Sequence, residues 1–308
     1  MCILAFIFMY ISINGHLGSG KSEIARLLQK NDGFEIFSTG AIQRKIAVDL
    51  GISTLELNER SLNDFSYDYL IDEELKKHAA ANVGKNVIFD SRMAWFFVPD
   101  SFKIHLVVAP AIAAKRVFNN RVSVAEKYSS EHEAMFELLE RRRVEDERYF
   151  KVYNARMSDY SNYDLILDTS HIDLLAVYNI ILKCMRDKEG GNRVIVSTQN
   201  IYPAKNVLPL NTDTVNKYVQ QLKAGTELAP VDLIKHRDSL YIYDGYHRVA
   251  ACNTLGGKTI SAIIAYQDGD LMPNNVALGD YISTVKEDLH AWEKANGFKF
   301  GFYLTPNL

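Results

Sequence analysis

Between Gly15 and Ser22 the chain reads Gly-His-Leu-Gly-Ser-Gly-Lys-Ser. Three glycines inside eight residues, closed by a lysine and a hydroxyl residue, suit one chemistry. A loop free of Cβ atoms can fold around a phosphate with its N–H groups turned inward. The spacing G-x-x-x-x-G-K-[ST] is met by Gly15, Gly20, Lys21 and Ser22. Gly18 and Ser19 complete the cradle. Lys21 is expected to neutralise the β- and γ-phosphates of a nucleoside triphosphate, and the Ser22 hydroxyl to hold Mg²⁺. A helix beginning at Lys21 adds its positive dipole end to the same anion site. Phosphate chemistry also needs an acid near the metal. Asp90 follows Val87-Ile88-Phe89, an apolar run that ends where parallel strands place ligands; the plainer alternative is an aspartate closing a strand in a turn.

These residues need a scaffold, and the pattern around them supplies one. Apolar and helical segments alternate through the first ~185 residues, the signature of an α/β layer fold with a parallel sheet. Strands are expected at Ile3–Ile13, Glu35–Ser38, Asn86–Asp90, Lys103–Val108 and Asp164–Leu167. Helices are expected at Ser22–Lys30, Ala41–Leu50, Asp64–Ala81, Pro110–Asn119, Glu131–Tyr153 and Leu174–Arg186. The apolar start from Met1 to Ile13 lacks a basic leader and a small-residue cleavage site. It is also shorter than the roughly 20 apolar residues that span a bilayer, so it is expected to be the strand feeding the loop, with no membrane association.

The polar stretch Asp187-Lys-Glu-Gly-Gly-Asn192 reads as a linker. It divides 308 residues into domains at 1–187 and 193–308, in keeping with about 100–200 residues per domain. The second half carries strands at Val194–Ser197, Val231–Lys235, Leu240–Tyr243 and Thr259–Ala265. Its helices are expected at Thr214–Leu222, Tyr246–Leu255 and Tyr281–Ala295. The formal charge of -3 excludes a global basic field for nucleic acid or membrane. Three cysteines with no CxxC spacing exclude a zinc site or disulfide framework and suit the reducing cytoplasm.

Five further segments, in order, resemble the cytidylate kinase group of nucleoside monophosphate kinases over roughly residues 8–185. They are Ser38-Thr-Gly-Ala-Ile-Gln-Arg44, Asp90-Ser-Arg92, Pro99-Asp-Ser-Phe-Lys-Ile-His-Leu106, Arg142-Arg-Val-Glu-Asp-Glu-Arg148-Tyr149 and Tyr163-Asp-Leu-Ile-Leu-Asp-Thr-Ser170. Ser91 stands where that family usually has glycine. The resemblance implies a three-layer αβα P-loop fold that uses ATP and Mg²⁺ to phosphorylate a CMP-like or related small phosphate acceptor. It implies that Thr39, Arg44 and Arg92 contact the acceptor, with Arg121 in the same zone, and that Arg142 and Arg148 belong to a closing lid. Guanidinium groups suit the task because they grip phosphate oxygens bidentately. Arg142, Glu145 and Arg148, at i, i+3 and i+6, share one broad helix face, so Glu145 is expected to orient the two arginines. A solvated charged face laced with i,i+3 pairs is the alternative. Arg116 is expected on an exposed helix. Tyr67, Asp68 and Asp72 lie either where a base is read or on ordinary helix surface.

Residues ~193–266 resemble a ParB/sulfiredoxin-type α+β domain. The carrying residues are Pro203, Leu222-x-x-Gly225, Leu228-Ala-Pro-Val231 and Tyr243-Asp-Gly-Tyr-His-Arg-Val-Ala-Ala251. That likeness implies a second phosphate site at Asp244, Gly245, His247 and Arg248, again a glycine turn opening a helix. The motif holds no cysteine, and Ala204 and Lys205 stand where the free-serine kinases of that superfamily carry a catalytic glutamate. Two alternatives to a small-molecule kinase follow: a nucleic-acid-directed kinase docked through the second domain, or a kinase regulated by a nucleotide-sensing or serine-kinase-like second domain.

Overall fold

The apolar runs become strands buried on both faces, as parallel sheets require. Ile11, Ile13, Val87, Ile88, Phe89 and Ile104 have no accessible surface at all. The structure is a computed structural model that describes residues 9–52, 54–61, 64–119, 128–187, 192–204, 210–282 and 293–295. It divides into two units, residues 1–169 with 173–192, and residues 170–172 with 193–308.

In the first unit the elements run β1 (Tyr10–Gly15), α1 (Lys21–Asp32), β2 (Glu35–Ser38), α2 (Thr39–Asp49), α3 (Thr54–Ser61), α4 (Ser66–Ala81), β3 (Val87–Asp90), α5 (Ala94–Phe97), β4 (Phe102–Val107), α6 (Pro110–Asn119), α7 (Glu131–Tyr153), β5 (Leu165–Asp168) and α8 (Leu174–Arg186). Within this unit the strands lie in the order β2-β3-β1-β4-β5, each adjacent pair parallel. Right-handed crossovers then put α1 on one face and the helices between β2 and β5 on the other. After β5 the chain returns, and α8 packs beside α1.

The register brings the chemistry to one edge. Ser38 and Ile13 both pair with Asp90, Gly15 pairs with Leu106, and Val107 pairs with Asp168. All five strands therefore end together at their carboxyl side, where an α/β sheet places ligands. Leu17 of the loop packs against an apolar cluster of Val108, Ala113, Ala134, Met135 and Leu138, which joins α6 to α7 and pins the loop to the sheet. The Ser130 hydroxyl accepts from the Glu133 N–H at the start of α7, and Asn154 closes it in the left-handed region, so the long charged helix has defined ends.

In the first unit two α-helices have no counterpart among the expected ones. α5 is four residues long, too short for helical periodicity to register, and α3 buries Leu57 with little other apolar signal. The residues 1–8 of the expected first strand lie outside the described residues, as do 188–191 of the expected linker and 283–292 of the expected last helix.

In the second unit β6 (Arg193–Ser197), β7 (Ile201–Pro203), α9 (Thr212–Lys223), β8 (Val231–His236), β9 (Ser239–Asp244), α10 (Tyr246–Thr254), β10 (Thr259–Gln267), β11 (Leu271–Met272), β12 (Val276–Ala277) and α11 (Leu278–Tyr281) follow. The order β6-β10-β8-β9-β7 mixes antiparallel pairs (β6 with β10, β8 with β9) and parallel ones (β8 with β10, β7 with β9). α9 packs on α10. Among the described residues no helix is long and apolar enough to cross a membrane.

Candidate active site

β1 ends at Gly15, whose φ of 141° is open only to glycine. A Cβ there would lie 2.1 Å from the Leu106 carbonyl oxygen, so β4 itself forbids any side chain. Gly18 and Gly20 are left-handed as well, and Gly20 caps α1 with no side-chain partner. The first N–H groups of α1 are thus turned to the loop. The buried Ser19 donates its hydroxyl to the His16 carbonyl at 2.7 Å. Ser22 is exposed at the start of α1. Lys21 Nζ donates to the Gly15 and His16 carbonyls, each at 2.8 Å.

Desolvation pulls the Lys21 ammonium down to about 7, helped by the Arg92 charge and opposed by Asp90 and Glu145, with Arg141 pushing the same way as Arg92. That set of perturbers is the site's composition: the loop lysine, the aspartate ending β3, the arginine two residues on, and two residues of α7. Arg92 Nη1 donates to the Gly15 carbonyl at 2.7 Å, and its Nε lies 2.9 Å from Glu145. Glu145 also takes Arg141 Nε at 2.9 Å. Its carboxyl is held below the ordinary range although burial pushes it up, because Arg92 and Arg141 outweigh the desolvation. A carboxylate between two guanidinium groups is a fixed support for both.

His16 lies inside the loop. Its ring is driven well below its usual range by burial first, then by the charge of Arg142, by His105 and, more weakly, by Lys21. Its Nδ1 lies 3.2 Å from the Val108 backbone nitrogen and 3.3 Å from the Val108 carbonyl oxygen, which fixes the ring against the end of β4. The charge of Arg142 thus reaches His16 inside the loop. Arg148 lies close enough to Glu145 for their charges to interact, and it also reaches α4. Its Nη2 lies 3.5 Å from Asp68 of α4 and 3.0 Å from the Tyr149 hydroxyl. Glu145 holds Arg92 and Arg141 by ion pairs and also feels the charge of Arg148.

Arg116 corrects the sequence reading. It is half-buried and ties the loop to the end of β5. Its Nη1 donates to the Gly18 carbonyl at 3.0 Å, and its Nη2 to the Thr169 carbonyl at 2.7 Å. Thr169 in turn donates its hydroxyl to the Ser19 carbonyl at 3.0 Å. Arg121 lies outside the described residues. Thr39 is buried at the start of α2, its hydroxyl 3.5 Å from the Asp90 carbonyl, and Arg44 is exposed one turn further on. Asp68 and Asp72 are buried rather than on ordinary helix surface. Asn14 was also missed: it accepts the Gly15 N–H at 2.6 Å and donates to the Tyr163 hydroxyl at 2.9 Å, bracing the loop's first residue.

In the second unit Asp244 ends β9, and Gly245, with φ 109°, caps α10. Arg248 Nη2 is 2.6 Å from the Asp244 carboxylate and its Nη1 donates to the Ala229 and Pro230 carbonyls. His247 Nε2 accepts the Asn211 N–H at 2.9 Å. Both side chains expected to offer donors to a phosphate are engaged inside the unit.

Residues 10–171 match the cytidylate kinase-like family. A cytidylate kinase of Methanocella arvoryzae is 33% identical over 177 residues, which is 58% of this chain and 97% of that protein. One of Methanothrix thermoacetophila is 33% identical over 58% of this chain and 98% of its own length. One of Sulfurisphaera tokodaii is 30% identical over 56% and 93%.

Proposed function

Because the chain belongs to the cytidylate kinase-like family, a family of P-loop kinases, we propose that its first unit transfers the γ-phosphoryl group of ATP to a nucleoside monophosphate of the CMP type. The observation that carries this reading is the convergence on Lys21. One loop lysine feels Asp90 from β3, Arg92 beyond it, and Glu145 and Arg141 from α7. Phosphoryl transfer asks a protein for positioning and for cations around the moving group, and that is what these elements bring to the end of β1.

ATP phosphates take the inward N–H groups of Gly15–Ser22, and their oxygens replace the two carbonyls that Lys21 now holds. The donor set suits Mg²⁺: an exposed Ser22 hydroxyl and the Asp90 carboxylate are hard oxygen ligands, and the ion takes its other places from phosphates and water. When bound, it would neutralise charge between the β- and γ-phosphates. Arg92 and the exposed Arg44 receive the acceptor phosphate, beside Thr39. Arg142 and Arg141 bring positive charge from α7 to the same edge, with Glu145 fixing Arg141 and Arg92. Arg116 holds Gly18 and the end of β5 together, so the cradle keeps its shape as it fills.

For the second unit the proposed fold is ParB/sulfiredoxin-like, with Asp244–Arg248 at a strand-to-helix turn. The engagement of His247 and Arg248 leaves backbone N–H groups as the turn's offering to a phosphate, which favours a small regulatory anion over a nucleic-acid backbone. The reducing cytoplasm is the proposed setting; Cys184 and Cys252 are buried free thiols.

The test is a product screen. The full chain is incubated with labelled ATP, Mg²⁺ and a panel of nucleoside monophosphates, serine and oligonucleotides, and labelled products are identified by mass. CDP formation is expected, with loss of turnover in a folded Lys21→Ala variant. A variant that works at the wild-type rate, or a labelled oligonucleotide with no labelled mononucleotide, overturns the proposal.

A further inference from the structure

β5 ends at Asp168 and α8 begins at Leu174, yet Ser170–Ile172, which lie between them, belong to the second unit. Both ends of this short excursion are fixed in the first unit. The Thr169 N–H donates to the Val107 carbonyl at 2.9 Å, which carries the pairing of β5 with β4 one residue further. The Asp173 carboxylate accepts the Ala176 N–H at 2.8 Å and caps α8. Consecutive Cα atoms stand about 3.8 Å apart, so a segment this short cannot shift at its middle without pulling on its ends.

One of those ends also supports the nucleotide loop. The Thr169 hydroxyl donates to the Ser19 carbonyl at 3.0 Å. The Thr169 carbonyl takes Arg116 Nη2, whose Nη1 holds the Gly18 carbonyl. Thr169 and Ser19 are buried, so these bonds form away from water, where they are electrostatically strongest. The next residue, Ser170, is buried as well, and its hydroxyl accepts from Asn200 Nδ2 at 2.7 Å. Asn200 is itself held within the second unit. Its N–H donates to the Ser197 carbonyl at 3.0 Å and closes a turn after β6. Inside that turn the Thr198 hydroxyl donates to Asn253 Oδ1 of α10 at 2.6 Å, and the Thr198 N–H donates to the Lys258 carbonyl at 3.2 Å. Two adjacent residues thus take a bond to the loop on one side and a bond from the second unit on the other. Asn200 lies outside the family match at residues 10–171, so this support comes from a part of the chain that the matched kinase residues do not include.

We propose that Asn200 is a positioning residue for the nucleotide loop, acting through Ser170 and Thr169, so that the second unit helps to set the first unit's affinity for ATP. The inference rests on the proposed ATP site at Gly15–Ser22. The physical link is the planar peptide. The Ser19 carbonyl and the Gly20 N–H belong to one trans unit and point in opposite directions. The bond from Thr169 to that carbonyl therefore sets the direction of the Gly20 N–H, one of the cradle's donors to phosphate. Asn200 holds the residue next to Thr169, and Thr169 keeps its hydroxyl on Ser19 only while that neighbour stays in place. Release of the bond at Ser170 loosens the aim of the cradle and leaves the acceptor arginines, Arg44 and Arg92, untouched.

The test uses the full chain as wild type, Asn200→Ala, Ser170→Ala and the double variant. Calorimetry with Mg²⁺ and a non-hydrolysable ATP analogue gives the affinity, and initial rates give the KM for ATP and for the acceptor. Asn200→Ala is expected to weaken nucleotide binding about 3- to 10-fold and to raise the KM for ATP by the same factor, with the KM for the acceptor constant. Ser170→Ala is expected to match it. The double variant is expected to bind no more weakly than either single one, because both remove the same bond. A merely structural loss would add in the double variant and would not separate the two KM values. Melting curves establish that each variant is folded, and Ser170→Ala carries the test if Asn200→Ala is not. Wild-type affinity in folded Asn200→Ala, or additive effects in the double variant, overturns the inference alone, and the kinase reading stands. A wild-type chain that binds no ATP overturns the reading of the loop and this inference together.

Discussion

Nucleotide binding should take up a proton, and the residue responsible is Lys21. Burial among the carbonyls of its own loop, reinforced by Arg92, lowers its ammonium from the usual 10.5 to about 7. A phosphate chain entering the loop supplies the opposite charge that is missing, which raises the pKa in the complex. Between those two values the bound form carries more protons than the free form, so binding must weaken as pH rises. The magnitude follows from the free form. At pH 8 about one tenth of free Lys21 is charged, so binding takes up about 0.9 proton. Each further pH unit costs about 1.4 kcal/mol, and the affinity for Mg·ATP falls about 50-fold from pH 7 to pH 9.

Other groups do not confuse the measurement. The terminal phosphate of a nucleotide loses its last proton near pH 6, and His16, held well below its usual range, stays neutral throughout. The assay is calorimetry at pH 8 in buffers of different ionisation enthalpy, where the slope of observed enthalpy counts protons. Lys21→Met should bring the slope to zero. A slope of zero in the wild-type chain, or an affinity that is flat from pH 7 to pH 9, refutes the reasoning.

Three further outcomes follow from other parts of the site. Burial, and then the nearby Asp68 charge, push the Asp72 carboxyl from 3.8 up to about 6, against the Tyr153 hydroxyl that lowers it. The folded chain thus binds more protons than the unfolded one between those values, and stability is lost as pH rises through them. Asp72→Asn should therefore raise the melting temperature at pH 7.5 and not at pH 3.5, with about 3 kcal/mol as the upper bound; equal effects at both pH values argue against it. Gly15→Ala puts a methyl group 2.1 Å from the Leu106 carbonyl oxygen, and should cost about 3 kcal/mol or more in chemical denaturation as β1 moves off β4. Arg116→Ala frees the Gly18 and Thr169 carbonyls. The KM for ATP should rise about 10-fold with the KM for the acceptor unchanged, as initial rates will show.

What could be seen in the chain beforehand was local. Gly15–Ser22 is legible because its chemistry lies within eight consecutive residues and the strand and helix on either side obey simple periodicities. Asp90 is legible because an apolar run ending in an acid maps directly onto the edge of a parallel sheet. The contacts that organise the site are not local. Arg92 meets Gly15 across 77 residues, Arg116 meets Gly18 across 98, and Thr169 meets Ser19 across 150. A charge run such as 140–148 shows that a helix is polar and leaves open which arginine faces which neighbour. Here Arg141, itself exposed, reaches the more buried Glu145, while Arg143 pairs with Glu140 and Glu147 at the surface. Asp68 and Asp72 look like helix surface for the same reason. Their burial depends on Arg148 and Tyr153 arriving from a helix some 80 residues later in sequence.

The two glycine turns show why a motif's electrostatic surroundings decide more than its backbone. Gly20 (φ 88°, ψ 16°) and Gly245 (φ 109°, ψ 16°) cap their helices in nearly the same left-handed conformation. Each is followed in the first turn by a cation, Lys21 or Arg248. The backbone N–H groups at the two helix starts are equivalent as anion donors. The cations are not. Lys21 rests on two neutral carbonyls, which phosphate oxygens replace with a gain in charge attraction. Arg248 rests on the Asp244 carboxylate at 2.6 Å, and an incoming phosphate must first displace a full negative charge of the same kind. Exchange at the first turn is downhill; at the second it is close to even. Gly15–Ser22 is thus the turn better suited to phosphate, because its lysine is hydrogen-bonded to neutral carbonyls and not to a carboxylate.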